Sequence, residues 1–517
     1  MAQGPLPFEY QPEENSTGLT SFAGLPLFLD LMFVMGFAAI IRERLNVRPT
    51  QGWSDTQHIV SLVCLHLAGG DCVEDLNQLQ ADEGFCHILE QVEGHGLRAR
   101  ERSALSQRWR TGKSRSVPSP DAASRFLEEF DDPQESAKVE AGTAYVPVPN
   151  QHLEGLYDVL AETCRYAQLQ NPQTTATLDQ DATLIETSKE EALYCYKKYK
   201  AYQPLNVFWF EQGLTLYSEF RDGNCPAAWR NLDVLQAALK RLPRGVNHVN
   251  TRMDTAGYDK RLLKYLAEGK NERFGVIDFA IGVDVMPEFK AAASEVREED
   301  WHPIYFEDKE GNRWKTEQEY AEVCYVPNWA GHKKGGPVYR FVAIRQPLEN
   351  TLPGIEDDQA SLPFPTWSSN EGQRYKLFGV VTNIDAETMG GDELIRWHRQ
   401  RCGDSEHVHS VLKSDLGAGQ MPSGKFGANA AWWTIALIAC NLHIIMQRLV
   451  FERQGLGQRL KTIRFRWLAV AGRVISHARK LIIRLPANHP AFQIICDARA
   501  KIRSMSTGPP PKWLAPV

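Results

Sequence analysis

The chain has 517 residues, of which 43% are hydrophobic and 24% charged, with a formal net charge of -6 and a pI of about 6.2. That length leaves room for about three domains of roughly 150 residues each, with cores large enough to need no disulfide or structural metal. The balance excludes a collagen-like, a largely disordered and a multi-span membrane chain, and its mean charge alone predicts no affinity for nucleic acid.

In chain order, residues 1–20 are polar, and 24–93 read as helices punctuated at Gly69-Gly70 and Gly84. The apolar run 24–41 is nearly long enough to cross a bilayer, but it carries Asp30 and is followed by Arg42, Glu43 and Arg44. It is therefore expected to be a buried or partner-facing helix. A basic stretch follows, with Arg98, Arg100, Arg102, Arg108, Arg110, Lys113 and Arg115 against the single acid Glu101. Beside it, Ser119-Pro120-Asp121 opens a capped helix to Phe130. The residues alone leave two readings open, a DNA-docking element or a solvated loop beside a packing helix.

From Gln173 the pattern turns to strands. Residues 174–185, 206–210 and 214–220 read as three strands, 226–242 as a helix, 246–253 as a strand, 258–269 as a helix and 274–285 as a buried strand. Three neighbouring strands followed by alternating helices and strands predict an α/β, ribonuclease H-like core. Residues 286–386 predict a β-rich insertion, with strands at 303–307, 322–327, 339–345 and 375–384, and with Trp301, Trp314, Trp329 and Trp367. Helical spacing returns at Asp392, and 429–451 is a long apolar helix in which Asn441 and His443 argue against a membrane span. Residues 448–503 hold thirteen basic and two acidic side chains, a net of +11 that leaves -17 for the rest. This stretch is the expected electrostatic footprint for DNA, and it also suits amphipathic helices that pack on an acidic remainder. The organisation read from these patterns is a helical N-terminal DNA-end-binding domain at 1–130, core segments at 131–285 and 387–451 around the 286–386 insertion, and a basic helical C-terminal region at 452–517. The ten cysteines form no CxxC pair, so they are expected to be reduced thiols of a cytoplasmic protein.

Three acids stand out by position. Asp181 lies in the first core strand before Ala182-Thr183, Asp254 lies where the fourth strand ends, and Glu406 lies on the helix after the insertion. Strands one and four are neighbours in such a sheet, so their acids meet at one edge, and a later helix can add the third. Three carboxylates at one point repel. Divalent ions resolve the repulsion, and two of them about 3.5–4 Å apart stabilise the attacking and leaving oxygens of a phosphodiester displacement. Asp179 is a rival on the same strand face, and Asp181 is preferred for its following Ala-Thr. On the helix, positions 399, 402, 406, 409, 410 and 413 share a face, which places Arg399, His409, Ser410 and Lys413 with Glu406, where basic groups suit a phosphate backbone. Gly419–Lys425 opens like a P-loop but has Phe426 where Ser or Thr is required. His398, His407 and His409 lack cysteines at zinc spacing. The insertion tryptophans are core residues or stacking surfaces for a displaced base.

The ordered set of Leu178-Asp-Gln-Asp-Ala-Thr-Leu-Ile-Glu186, Phe220-Arg-Asp-Gly-Asn224, Arg252-Met-Asp-Thr-Ala-Gly-Tyr258 and 401–429, ending in Pro422-Ser-Gly-Lys-Phe-Gly-Ala-Asn429, resembles the DDE transposases of bacterial insertion sequences. Within them it is similar to the insertion-sequence-four superfamily, close to its thirteen-eighty type. Ala471-Gly-Arg-Val474 and His477-Ala-Arg479 add to the likeness. The resemblance implies that Asp181, Asp254 and Glu406 are the metal-binding triad for two Mg²⁺ (or Mn²⁺). Of the superfamily's Y-x2-R-x3-E-x6-K signature, Glu406 and Lys413 match, while Arg399 and Cys402 stand at the Tyr and Arg positions and Arg401 sits one residue early. It further implies a bacterial, nucleoid-associated enzyme with no membrane partner. Such an enzyme works as a homodimer that binds terminal inverted repeats and cuts at the element–flank junctions, the freed 3′-hydroxyl then forming a hairpin or joining target DNA; the alternatives are a ribonuclease H-like nuclease without strand transfer and an inactive DNA-binding remnant. Arg399, Arg401 and Lys413 would position phosphate, and the N-terminal helices with 98–115 would read the ends.

Overall fold

The computed structural model describes residues 17–48, 50–109, 114–307, 311–330, 337–348, 365–368, 373–455, 457–478 and 480–512, with the side chains of 402–407 and 453 outside that description. It divides into two compact units. One comprises Ala137–Pro147, Leu160–Ser410 and Pro511–Val517, and the other Met1–Ser136, Val148–Val159 and Val411–Pro510.

The Leu160–Ser410 unit is built on a ten-stranded mixed sheet. Its strands are β1 (Thr175–Ala182), β2 (Leu205–Trp209), β3 (Leu214–Glu219), β4 (His248–Met253), β5 (Asp278–Gly282), β6 (His302–Glu307), β7 (Arg313–Val323), β8 (Arg340–Pro347), β9 (Thr366–Ser368) and β10 (Arg374–Thr382). They lie in the order 3-2-1-4-5-10-8-7-6, with β9 paired to β10. β1, β4 and β5 run parallel, and the other pairings are antiparallel. The fold is therefore mixed α/β, with strands one and four adjacent as expected. β2 and β3 bury nearly every residue, and β1 buries its five central ones, because both faces of the sheet are covered there.

The insertion is not a separate β-rich body. β10 pairs with β5 through Val380↔Gly282, Val381↔Ile281 and Thr382↔Ala280, so the insertion prolongs the core sheet. Val380 and Val381 present a β-branched edge that completes the hydrogen bonding of β5, which an exposed edge would leave unpaired. Within the insertion, the strand read at 322–327 lies earlier, at Arg313–Val323, and pairs with β8 from Glu319↔Arg345 to Val323↔Phe341. Ala280, Ile304, Val342, Ile344 and Val380 form one core with Leu394 and Ile395 of the helix Gly391–Ser410. The extension thus supports the helix that carries the third candidate acid. Gly391 has no space for a side chain, because a Cβ there would lie 2.2 Å from the Tyr320 ring.

In the other unit the apolar segment 24–41 forms two helices, Pro26–Val34 and Phe37–Arg44, rather than one. The break is at Gly36, whose φ of +68° suits glycine and whose absent Cβ leaves room for Pro509, 2.3 Å from where it would stand. Phe426–Ile445 continues as a π-helical turn, Met446–Phe451. Its length and hydropathy would span a bilayer, but 83% of its most apolar window is buried by the fold. The basic C-terminal region is not wholly helical. Gly472–His477 and Lys480–Arg484 form an antiparallel hairpin, joined by Leu19–Thr20, before the helix Ala491–Ser504. The β-branched residues Val474, Ile475, Ile482 and Ile483 favour strands there. Several bases of this region serve the fold. Arg464 donates to the carbonyls of Leu67 and Asp415, Arg459 pairs with Asp415, Arg499 with Asp30 and Lys501 with Glu452. The nine described cysteines are free thiols.

Candidate active site

β1 and β4 run side by side in parallel from Thr175↔His248 to Gln180↔Met253. Asp181 and Asp254 each follow the last pair of this register, at the carboxyl edge of the sheet, and both are half-buried. Asp181 is still in β1, opposite Asn206 of β2. Asp254 ends β4 and caps the turn Thr255–Gly257, its Oδ1 accepting from the N–H of Ala256 at 2.9 Å. That turn is pinned from behind. The Asn231 amide donates to the Ala256 carbonyl at 2.7 Å, and Gln180 Nε2 donates to the Asn231 carbonyl at 3.1 Å. Two glycines let the turn close. A Cβ on Gly257 would lie 2.6 Å from that of Met253, and one on Gly282 would lie 2.9 Å from the Thr255 nitrogen.

Asp179 has a different task. The Arg252 guanidinium grips both of its oxygens, Nε to Oδ1 at 2.6 Å and Nη2 to Oδ2 at 2.7 Å, and both side chains are almost wholly buried. Burial pushes the Asp179 carboxyl above its usual range and the arginine pulls it back. Arg252 also stacks over Phe210 and donates to the carbonyl of Trp397 at 2.7 Å on the overlying helix. A second tie is His398, whose Nε2 lies 2.9 Å from the Met253 carbonyl. A carbonyl only accepts, so Nε2 carries the proton. Desolvation holds this imidazole down to about 3, so it is neutral. His398 thus anchors the helix to the residue before Asp254, a structural role and not a zinc site.

Glu406 lies on the helix Gly391–Ser410, and its side chain lies outside the described residues, with those of Cys402 and His407. Its backbone stands one turn before His409. The Nε2 of that ring is 3.1 Å from the amide nitrogen of Asn206, the cross-strand neighbour of Asp181, and Ser218 donates to Asn206 Oδ1 at 2.7 Å. The helix therefore crosses the sheet at the level of the aspartates. Of the expected phosphate ligands, Arg399 donates to Gln318 Oε1 of β7 at 2.5 Å, and Arg401 adds positive potential at Asp179 and His398. Lys413 is exposed in the π-helical turn Val411–Asp415, so the α-helical spacing that aligned it with Glu406 ends at Ser410.

In the other unit, Arg98 stands at the N-cap position of the helix Ala99–Ser106, its backbone N–H donating to Glu101 at 2.7 Å, Arg100 is exposed, and Arg102 donates to the Leu97 carbonyl at 2.9 Å. Arg108 spends its guanidinium on the carbonyls of Gly52, Arg48 and Trp53. Arg110 and Lys113 lie outside the described residues. Lys425 of the P-loop-like stretch pairs with Glu128 at 2.8 Å, and Gly427 abuts the Phe130 carbonyl, so this motif joins a loop to a helix. Trp301 and Trp367 stack together in the insertion, while Trp314 and Phe306 pack as a half-exposed pair. Asn206 and the Asp179–Arg252 pair are the residues that sequence reasoning missed as site supports. The signal for the pair is an arginine in the buried half of a strand, next to Met253, which needs a buried acid to face it.

Among the described residues, one group of three donors could hold an ion outright, Asp71, Cys72 and Asp75, and it lies in the other unit. The Asp181–Asp254 pair supplies hard oxygen donors that solvent reaches, which suits a divalent ion of the magnesium type.

The family described as "Transposase DDE domain group 1" matches residues 13–342 and 367–507. Among solved structures, the chain is similar to one titled "Cryo-EM structure of piggyBac transposase synaptic complex with hairpin DNA", at 11% identity and a TM-score of 0.41, over 86% of this chain and 78% of that one. No curated protein matches.

Proposed function

The chain belongs to the DDE transposase family, and from that premise we propose that it binds the terminal inverted repeats of its own element, cuts at their junctions with flanking DNA and joins the freed ends to a target. Membership of the family brings a requirement for a divalent metal. We assign its site to Asp181, Asp254 and Glu406, and its identity to Mg²⁺, with Mn²⁺ as a substitute. Bound there, the ions would polarise the scissile phosphate and stabilise its attacking and leaving oxygens.

The observation that supports this reading is the parallel register of β1 and β4, whose last pair, Gln180↔Met253, immediately precedes the two half-buried aspartates. The chain's own residues prepare that edge. Arg252 neutralises Asp179, so the second acid of β1 adds no charge there. His398 ties the Glu406 helix to β4 beside Asp254, and His409 ties it to Asn206 of β2, the cross-strand neighbour of Asp181. Arg399, Arg401 and Lys413 supply positive charge to DNA phosphates, and the bases of the N-terminal helices and the C-terminal region extend that attraction over the duplex. The 3-2-1-4-5 strand order supports a ribonuclease H-like core. We place the chain in the insertion-sequence-four superfamily, near its thirteen-eighty type, acting as a homodimer with one subunit per end.

The test uses labelled end DNA, Mg²⁺ and a target plasmid. Wild-type protein should cut and then join. Asp181→Asn, Asp254→Asn and Glu406→Gln should each abolish cutting but still shift end DNA in a gel. Variants that cut as well as wild type would refute the assignment, and cutting without joined product would reduce the activity to that of a nuclease.

A further inference from the structure

Beyond Asp181 the β1–β2 ladder does not stop at the sheet edge. Asp181 faces Asn206, Ala182 faces Leu205, the Thr183 N–H donates to the Pro204 carbonyl, Ile185 faces Tyr202, Glu186 faces Ala201, and the Thr187 N–H donates to the Lys200 carbonyl. One register runs throughout, so the two strands leave the sheet as an arm rooted at Asp181. A tight hairpin forms its end. Tyr194 bridges Lys200, the Cys195 N–H donates to the Tyr199 carbonyl at 2.9 Å, and Lys198 turns the chain with a φ of +66°. The arm is stapled from the side by Asp222, whose Oδ1 accepts from Leu193 N–H at 2.8 Å and Gly223 N–H at 2.7 Å. Gly223 fits closely there, since a Cβ would lie 2.4 Å from the Ala201 carbonyl.

This stiff arm ends in an unusual surface. Tyr194 and Tyr196 are 64% and 73% exposed, and Cys195 between them is buried. Tyr194 forms the bridge to Lys200 and Tyr196 lies in the turn that follows, so both exposed rings belong to the tip of the hairpin. Lys197 and Lys198 are exposed beside them, and no acid occurs between Glu191 and Glu211. Single exposed aromatics are ordinary, but paired rings on a rigid hairpin among lysines have the chemistry of a single-strand stacking platform. Six residues of strand rise place the hairpin roughly 20 Å from Asp181.

We propose that the arm formed by residues 183–204 binds unpaired DNA beside the cut site, with Tyr194 and Tyr196 stacking on bases and Lys197 and Lys198 meeting phosphates. The proposal rests on the transposase reading above and names the strand that its site receives.

The test is fluorescence anisotropy on the full chain with EDTA present, against a thymidine strand about 30 nucleotides long and a mixed-sequence duplex of the same length. Tyr194→Ala/Tyr196→Ala should weaken single-strand binding about tenfold or more and duplex binding less than about twofold. Tyr194→Phe/Tyr196→Phe should retain wild-type binding, because the rings remain. Lys197→Ala/Lys198→Ala should weaken both probes and flatten the salt dependence by about two. Wild type failing to hold the thymidine strand, an alanine pair that binds it normally, or equal loss on both probes would overturn the arm. A changed oligomeric state in the alanine pair would assign the rings to a protein interface and overturn it too. Intact end cutting with ring-independent strand binding sinks the arm alone, whereas ring-dependent binding without any cutting sinks the transposase reading alone.

Discussion

Both halves of the ten-stranded sheet bury an arginine, and they partner it differently. In the core half, Arg252 meets Asp179, and the two side chains are 0% and 1% exposed. In the insertion half, Arg345 is 3% exposed between the rings of Trp301 and Tyr375, but its acids Glu298 and Glu319 are 68% and 30% exposed. The core pair is sealed because a helix lies over it. The insertion pair sits at a rim where water solvates the acids. A sealed pair punishes the loss of either partner, since the survivor stays charged and dry. A rim pair forgives the loss of its acid, since water replaces it. The half that holds the candidate chemistry is thus also the half whose charges are least replaceable.

The largest expected effect lies at the sheet edge itself. Asp181→Asn or Asp254→Asn should lower end cutting by at least about a hundredfold, while the urea midpoint stays near that of wild type, because asparagine keeps the oxygen with which Asp254 caps its turn and removes one of two like charges. A collapse of stability would show that these acids are structural, as Asp179 is. Next, Arg252→Ala should cost about 3–5 kcal/mol in urea unfolding, by stranding Asp179. A loss below about 1 kcal/mol would break the contrast between sealed and rim pairs.

Two pH predictions sharpen it, and their signs are opposite. Burial raises the Asp222 carboxyl to about 6, so its ionisation penalises the native state above that pH, and the penalty fades as pH falls towards the unfolded value. Asp222→Asn, which keeps the oxygen that accepts from Leu193 and Gly223, should stabilise the protein by roughly 1–3 kcal/mol at pH 7. The gain should shrink below about pH 6, as read by urea titrations at pH 7 and pH 5. Glu298 is held below the usual carboxylate range by Arg345, so its contribution is present above its unfolded value and lost as pH falls through the lower folded one. Glu298→Gln should therefore destabilise at pH 7, by less than about 1 kcal/mol because the group is so exposed. A larger loss would mean that the rim pair is drier than its exposure implies.

The strands carrying Asp181 and Asp254 were legible because the first is rich in Thr and alternates, and the second is strand-like up to the acid that follows it. Asp179, the rival of Asp181 on the same strand, is committed to Arg252, and that commitment was not legible. It joins residues 73 positions apart and needs Trp397 above them. The single helix expected at 24–41 failed at Gly36, where the reason is the distant Pro509. The helical reading of the C-terminal tail overlooked the strand at Gly472–His477, whose partner Leu19–Thr20 lies at the other end of the chain.

By itself the sequence determined which segments are strands and helices around the candidate site, and which acids close them, because periodicity and turn chemistry act over a few neighbouring residues. Only the tertiary structure decided that the insertion extends the core sheet, that Asp179 is sealed while Asp181 stays accessible, and that an aromatic arm grows from the same ladder. Those outcomes depend on register between distant strands and on what a helix covers. Both are set by the sum of many long-range contacts that no local pattern encodes.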